Sequence, residues 1–174
     1  MRTTTAIFFA LAAVIPSHAE DPTKFKVGAF EFSRPADWKW IQPSSTMRKA
    51  QLQILPKAGG RSADITFFYF GEQGGDVQAN TQRWFGQFTT TPDANKTETQ
   101  EIEGVKVTSV TTEGTMKASP FTGVPEDVPD SALLGAILEH ATGPVFVKMT
   151  GPAALVKESR EKFMVLVKSA ADKK

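Results

Sequence analysis

The sequence predicts an α+β fold, a mainly antiparallel sheet with helices packed on its faces, on three observations. Apolar residues alternate with period two through most of the first half, which is strand patterning. Two later stretches repeat apolar residues at helical spacing instead. The breaks between alternating runs are short and contain glycine, so neighbouring strands return as hairpins rather than through long parallel crossovers.

In residues 27–32, Phe30 and Phe32 share a face; Pro35 ends the run, and Trp38 and Trp40 alternate beyond it. Residues 46–55 set Arg48, Ala50, Leu52 and Ile54 on one side and Met47, Lys49, Gln51 and Gln53 on the other, a strand buried on one face. The turn at Gly59-Gly60 leads into residues 64–70, with Ile65, Phe67 and Tyr69 on one side and Thr66, Phe68 and Phe70 on the other. Both faces are apolar, as in a central strand covered on both sides. Residues 71–75 stop it, and Asp76 is a natural N-cap for a helix reaching about Phe88. Val77, Thr81, Trp84 and Phe88 make its buried stripe.

Residues 89–96, with Pro92, are a polar loop, and residues 97–102 and 105–112 form a second hairpin about Glu103-Gly104. Residues 113–131, punctuated by Pro120, Pro125 and Pro129, form a long loop, the place where function is often carried. Gly135 and the turn-like residues 141–144 favour a third hairpin from residues 132–140 into 145–150 over a helix. Gly151-Pro152 then opens a last helix, with Val156, Phe163 and Val167 on one face, Leu155 and Leu166 beside them, and a Glu158 to Lys162 pair. A flexible tail is expected from about residue 169.

The opening run Phe30-Glu31-Phe32-Ser33-Arg34-Pro35-Ala36-Asp37-Trp38, a strand followed by proline and tryptophan, is similar to the start of PsbP/Mog1-like domains. The closing strand, Gly151-Pro152 and helix also resemble theirs, so the likeness in element order spans about residues 25–170. It implies an antiparallel sheet between helices. It also implies a binding, assembly or regulatory module rather than an enzyme of one chemistry. No functional residue is carried over, because the matching positions have a structural character.

The first residues carry an address. Met1 and Arg2 are followed by an apolar run over residues 6–15, then by Pro16 and the small-residue pattern Ser17-His18-Ala19. The run is too short to cross a bilayer, which takes about 20 residues. Residues 1–19 are therefore expected to be a cleaved signal peptide and residues 20–174 a single domain, extracytoplasmic (periplasmic or secreted), with no transmembrane segment after cleavage.

The chain has no cysteine, which removes disulfides, zinc thiolates and cysteine nucleophiles together. With 20 basic and 19 acidic residues scattered among one another, a phosphate-tracking surface is absent and no nucleic-acid partner is expected. His140 is the one histidine beyond the leader, and no G-x-S-x-G elbow accompanies it. Residues 71–76 lack the Gly-Lys-Ser/Thr end of a phosphate loop, and the acidic residues 126–130 lack the alternation of a calcium loop. No catalytic residue, metal or cofactor is expected.

What remains is a polar stripe. Asn80, Arg83 and Gln87 lie on one face of the first helix beside Trp84, and strand parity turns Arg48 to the apolar side of its own strand. These groups read as a hydrogen-bonded network between helix and sheet, or as a recognition patch rimmed by Trp84. Phe121 is an apolar anchor in the proline-punctuated loop. The functional expectation is an exported, non-catalytic module that binds a protein or envelope component. A carboxylate-dependent hydrolase would need two acids flanking a cleft. A small-ligand or lipid carrier would need an apolar cavity of several hundred Å³.

Overall fold

Alternating runs make an antiparallel sheet throughout, in a computed structural model that describes residues 21–43, 45–120 and 123–172. The chain enters through a hairpin, β1 (Lys24–Val27) and β2 (Phe30–Ser33). The main sheet follows: β3 (Lys39–Trp40), β4 (Arg48–Ile54), β5 (Ala63–Tyr69), β6 (Phe88–Thr89), β7 (Lys96–Ile102), β8 (Val105–Met116), β9 (Val128–Leu138) and β10 (Val145–Pro152). Its order is β3-β4-β5-β10-β9-β8-β6, with β7 also paired to β8. Helix α1 (Val77–Phe85) connects β5 to β6, and α2 (Ala153–Glu158) and α3 (Arg160–Ala171) close the chain. The expected α+β class and the hairpin pairings of β4 with β5, β7 with β8 and β9 with β10 are present. The second of these turns at Glu103-Gly104, both at positive φ, 50° and 80°, as a two-residue hairpin loop requires.

Strand parity builds the larger core. Ala50, Leu52 and Ile54 of β4, Ile65 and Phe67 of β5, Leu134, Ala136 and Leu138 of β9, and Val145, Val147 and Met149 of β10 face one way. They meet Phe163, Leu166 and Val167 of α3 and Phe25 and Phe32 of the first hairpin. Phe67 stands edge-on to both Phe25 and Phe32 at 5.0 Å. The Arg34-Pro35 segment is structural: Arg34 donates to the carbonyls of Pro22 at 2.8 Å, Trp38 at 2.6 Å and Asp21 at 3.3 Å, while Trp38 is buried.

A smaller core lies on the opposite face. There α1 is started by Asp76, whose Oδ1 accepts from the Ala79 amide at 2.7 Å, as expected of an N-cap. It lays Trp84 against Val110, Leu133, Ile137 and Phe146, over the β10-β9-β8 half of the sheet. Gly135 makes that possible, since a Cβ there would stand 2.2 Å from the Trp84 ring. The β4-β5 half of this face is left without a helix. Residue 68 is accordingly half-buried and Phe70 is 43% exposed, where the sequence suggested a β5 covered on both sides.

Five other expectations change. Helix α1 stops at Phe85 rather than reaching about Phe88, so Gln87 lies beyond its C-cap Gly86 and Phe88 opens β6. A register shift between Arg48 and Ala50 sets two residues of β4 against one of β5, so Arg48 pairs with Phe68 and lies on the face opposite Ala50 and Leu52. Parity counted through a bulge is wrong by one, and Arg48 does not point to the apolar side. The long loop shrinks to residues 117–127, because β8 runs on to Met116 and β9 starts at Val128, pairing Gly114 with Ser131. The last helix divides at buried Ser159 into α2 and α3. Finally α3 continues to Ala171, which is buried, and Ser169 Oγ accepts from the Ser33 amide at 3.0 Å.

Candidate functional site

Three cations from three elements meet along the edge of α1, at the border between the covered β10 and the half of the face that the helix leaves open. The bulge turns Arg48 to this side, where its Nη1 donates to Gln51 Oε1 at 3.0 Å. Period two on β10 turns Lys148 the same way, between Phe146 and Thr150, and its Nζ donates to Gln87 Oε1 at 3.1 Å. Helical spacing places Arg83 one turn after Asn80, with Nη2 donating to Asn80 Oδ1, while Gln87 lies in the turn beyond the C-cap Gly86. Thr66, across from Lys148 on β5, gives its hydroxyl proton to the Lys148 carbonyl at 3.3 Å. The floor continues into aromatic rings: Phe68 stacks with Phe70 at 6.3 Å, and Phe70 lies 6.4 Å from Phe146.

Among the described residues, none of these three cations makes an ion pair with a carboxylate. Asp64, further along the same face of β5, accepts instead from Gln53 at 3.2 Å. Lys148 is partly buried, and loss of water around its ammonium, reinforced by the positive charges of Arg48 and Arg83, lowers its pKa to about 8. Chemically the corner is a set of unneutralised donors suited to an anion. Perturbed charge of this kind gathers at functional sites.

The residues singled out from the sequence divide into two groups. Arg48, Arg83 and Gln87 come together around Lys148. Asn80, only 3% exposed, is joined to the corner by the bond its Oδ1 accepts from Arg83, while its Nδ2 donates to the carbonyls of Gly74 at 2.9 Å and Asp76 at 2.8 Å and so fixes the turn that enters α1. Trp84, expected at the rim of a recognition patch, is 5% exposed and belongs to the core beneath the helix. The i+7 stripe that it shares with Val77 is the buried one, so it cannot also be a surface rim. Phe121 lies outside the described residues. Lys148 and Gln51 are not among the residues the sequence singles out. The signal that points to Lys148 is its strand parity with Phe146, a polar residue on a face that is apolar next door.

A second feature lies on the other face of the sheet. A groove of about 610 Å³ runs between α2 and the β7-β8 hairpin. Ala132, Leu134 and Val156 give it apolar lining, and Asp93, Glu98, Glu113, Lys96, Lys157 and Arg160 also line it. None of the three corner cations lines this groove.

No family model matches the sequence, and no curated protein matches it. Solved structures do match. The solution structure of cyanobacterial PsbP (CyanoP) from Synechocystis sp. PCC 6803 has a TM-score of 0.53 at 9% identity, over 91% of this chain and 96% of that one. PA94, a protein of unknown function from Pseudomonas aeruginosa, has a TM-score of 0.47 at 11% identity, over 87% of this chain and 97% of that one. The chain has a PsbP-like fold.

Proposed function

On this PsbP-like fold we propose an exported, non-catalytic binding module that acts on a protein or envelope component, with the Arg48-Arg83-Lys148 corner as its contact face. The observation that carries the reading is two arginines grouped around a partly buried ammonium with no carboxylate paired to any of the three. Such grouping is unfavourable in the free protein, and an arriving anion relieves it. A lysine of lowered pKa can also serve amine chemistry, but Lys148 is hydrogen-bonded to an amide oxygen rather than to an acid–base partner.

The reading has two direct tests. Pull-down from native envelope extract with the parent and with Arg48→Gln/Arg83→Gln should recover a partner with the parent only. Equal recovery by both would remove the corner from the reading. N-terminal sequencing of the protein from the periplasmic or secreted fraction should begin at Glu20, and a chain that still starts at Met1 there would refute cleavage. Among the described residues no helix is long and apolar enough to cross a membrane.

The groove supports a second reading, a carrier of a small polar ligand. Its volume is of the size that ligand sites have, and its lining mixes apolar and charged groups. It also holds Asp93, Glu98 and Glu113, the residue type a carboxylate-dependent hydrolase requires, interspersed with Lys96, Lys157 and Arg160. Mass spectrometry of material extracted from the natively purified protein tests this reading. A stoichiometric ligand whose retention is lost in Arg160→Ala would support a carrier, and an extract with none would count against it.

A further inference from the structure

The corner's donors, its surroundings and the charge of the whole chain together restrict what can occupy it. An arginine presents five N–H donors and a lysine three. Arg48, Arg83 and Lys148 each use one of theirs, on Gln51, Asn80 and Gln87, and all three acceptors are neutral amide oxygens. The remaining donors come from three separate elements, β4, α1 and β10, with both arginines close enough to act on Lys148. Two of the three groups are planar forks matched to carboxylates, and the third is a point charge between them.

The surroundings distinguish among anions. Beside the cations the floor is aromatic, with Phe68 half-buried and Phe70 exposed, so the occupant brings apolar groups next to its charge. A bare inorganic anion would leave those rings uncovered. A nucleic acid or an anionic bilayer binds through an extended basic field, yet this chain has 20 basic and 19 acidic residues and a net charge of +1. The attraction is local and small in extent. A protein surface supplies that combination of a few carboxylates with apolar neighbours.

We propose that the corner receives an acidic segment of a partner protein, with carboxylates seated on Arg48, Arg83 and Lys148 and an apolar side chain beside them on Phe68 and Phe70. The proposal rests on the corner being the contact face and adds the chemistry of what it contacts. Because the free corner repels itself, binding should strengthen as salt falls and should raise the titration midpoint of Lys148.

The test uses the full mature chain and a labelled peptide of alternating glutamate and leucine, followed by fluorescence anisotropy at low and at physiological salt. The glutamine counterpart of that peptide, inorganic phosphate and vesicles containing an anionic lipid are the comparisons. Saturable binding of the glutamate peptide, weakened about tenfold or more in Arg48→Gln/Arg83→Gln and in Lys148→Met, is the expected result. Far-ultraviolet circular dichroism of each variant, expected to match the parent, separates loss of binding from unfolding. No saturable binding by the parent, equal binding by the variants, or equal binding of the glutamine peptide would each overturn the proposal. Tighter binding of phosphate or vesicles than of the peptide would overturn the acidic-segment assignment while leaving the corner as a contact face. Peptide binding that depends on the corner, together with a pull-down indifferent to it, would instead defeat the functional reading by itself.

Discussion

Replacing Lys148 with methionine should make the protein more stable at neutral pH, against the usual direction of mutation. The side chain is partly buried with Arg48 and Arg83 as charged neighbours, Gln87 as hydrogen-bond partner, and Thr66 across the strand. Its pKa falls from 10.5 to about 8. At about 1.36 kcal/mol per unit, holding the ammonium charged in the fold costs about 3 kcal/mol at pH 7. Methionine retains the apolar stem and removes the charge, but leaves Gln87 Oε1 without its donor, a loss of about 1 kcal/mol. The net gain is about 2 kcal/mol. The sign of the pH dependence follows from a folded pKa below the unfolded one. Below pH 8 both states carry the proton and the penalty is fully present; between about 8 and 10.5 the unfolded state holds more protons, so the parent gains stability as pH rises. Urea denaturation of parent and variant at pH 7 and at pH 10 measures this, and taking their difference cancels the other groups that titrate there. The variant should lead at pH 7 and lose most of that lead at pH 10. A variant less stable than the parent at pH 7, or a difference independent of pH, would refute the reasoning.

Three further outcomes are expected. Gly135→Ala drives a methyl into the Trp84 ring, at 2.2 Å without rearrangement, and should destabilise by about 1–3 kcal/mol with a changed near-ultraviolet dichroism from the displaced indole. Asn80→Ala strands the carbonyls of Gly74 and Asp76 and should lower stability by about 1–3 kcal/mol in urea denaturation, whereas Arg83→Ala, at an exposed position, should stay within about 0.5 kcal/mol of the parent. A fall as large for Arg83→Ala as for Asn80→Ala would show Arg83 to be structural. Arg34→Ala releases three carbonyls at the entrance of the chain and should destabilise by about 1–3 kcal/mol, with faster amide exchange in β1 and β2 as the local readout.

Local chemistry is legible wherever neighbours in sequence are neighbours in space. The alternation in β4, β5 and β10, the Asp76 cap and the Glu103-Gly104 turn all follow from residues within a few positions of one another, so they can be read before any fold is known. The helical stripe through Trp84 is equally plain as a stripe. Its consequence is not, because which neighbours cover a stripe is a property of the sheet beneath it. The Arg48 bulge is not legible either: one additional residue between paired strands leaves no mark in a single sequence, and it reverses the side to which everything before it points.

Composition and periodicity are sums over local terms, and they suffice to specify an α+β chain of antiparallel hairpins with two helical regions, no cysteine chemistry and nearly balanced charge. Strand order is not such a sum. It sets β10 between β5 and β9 and so carries Lys148 into the middle of the sheet. Long-range packing also makes α1 cover one half of its face and leave the other open, because the Trp84 ring fits above Gly135 while neither β4 nor β5 contains a glycine to receive it. Arg48, Arg83 and Lys148 are far apart in the chain and belong to three elements. Their meeting, and the electrostatic strain it creates, arises from contacts between distant segments that no local pattern encodes.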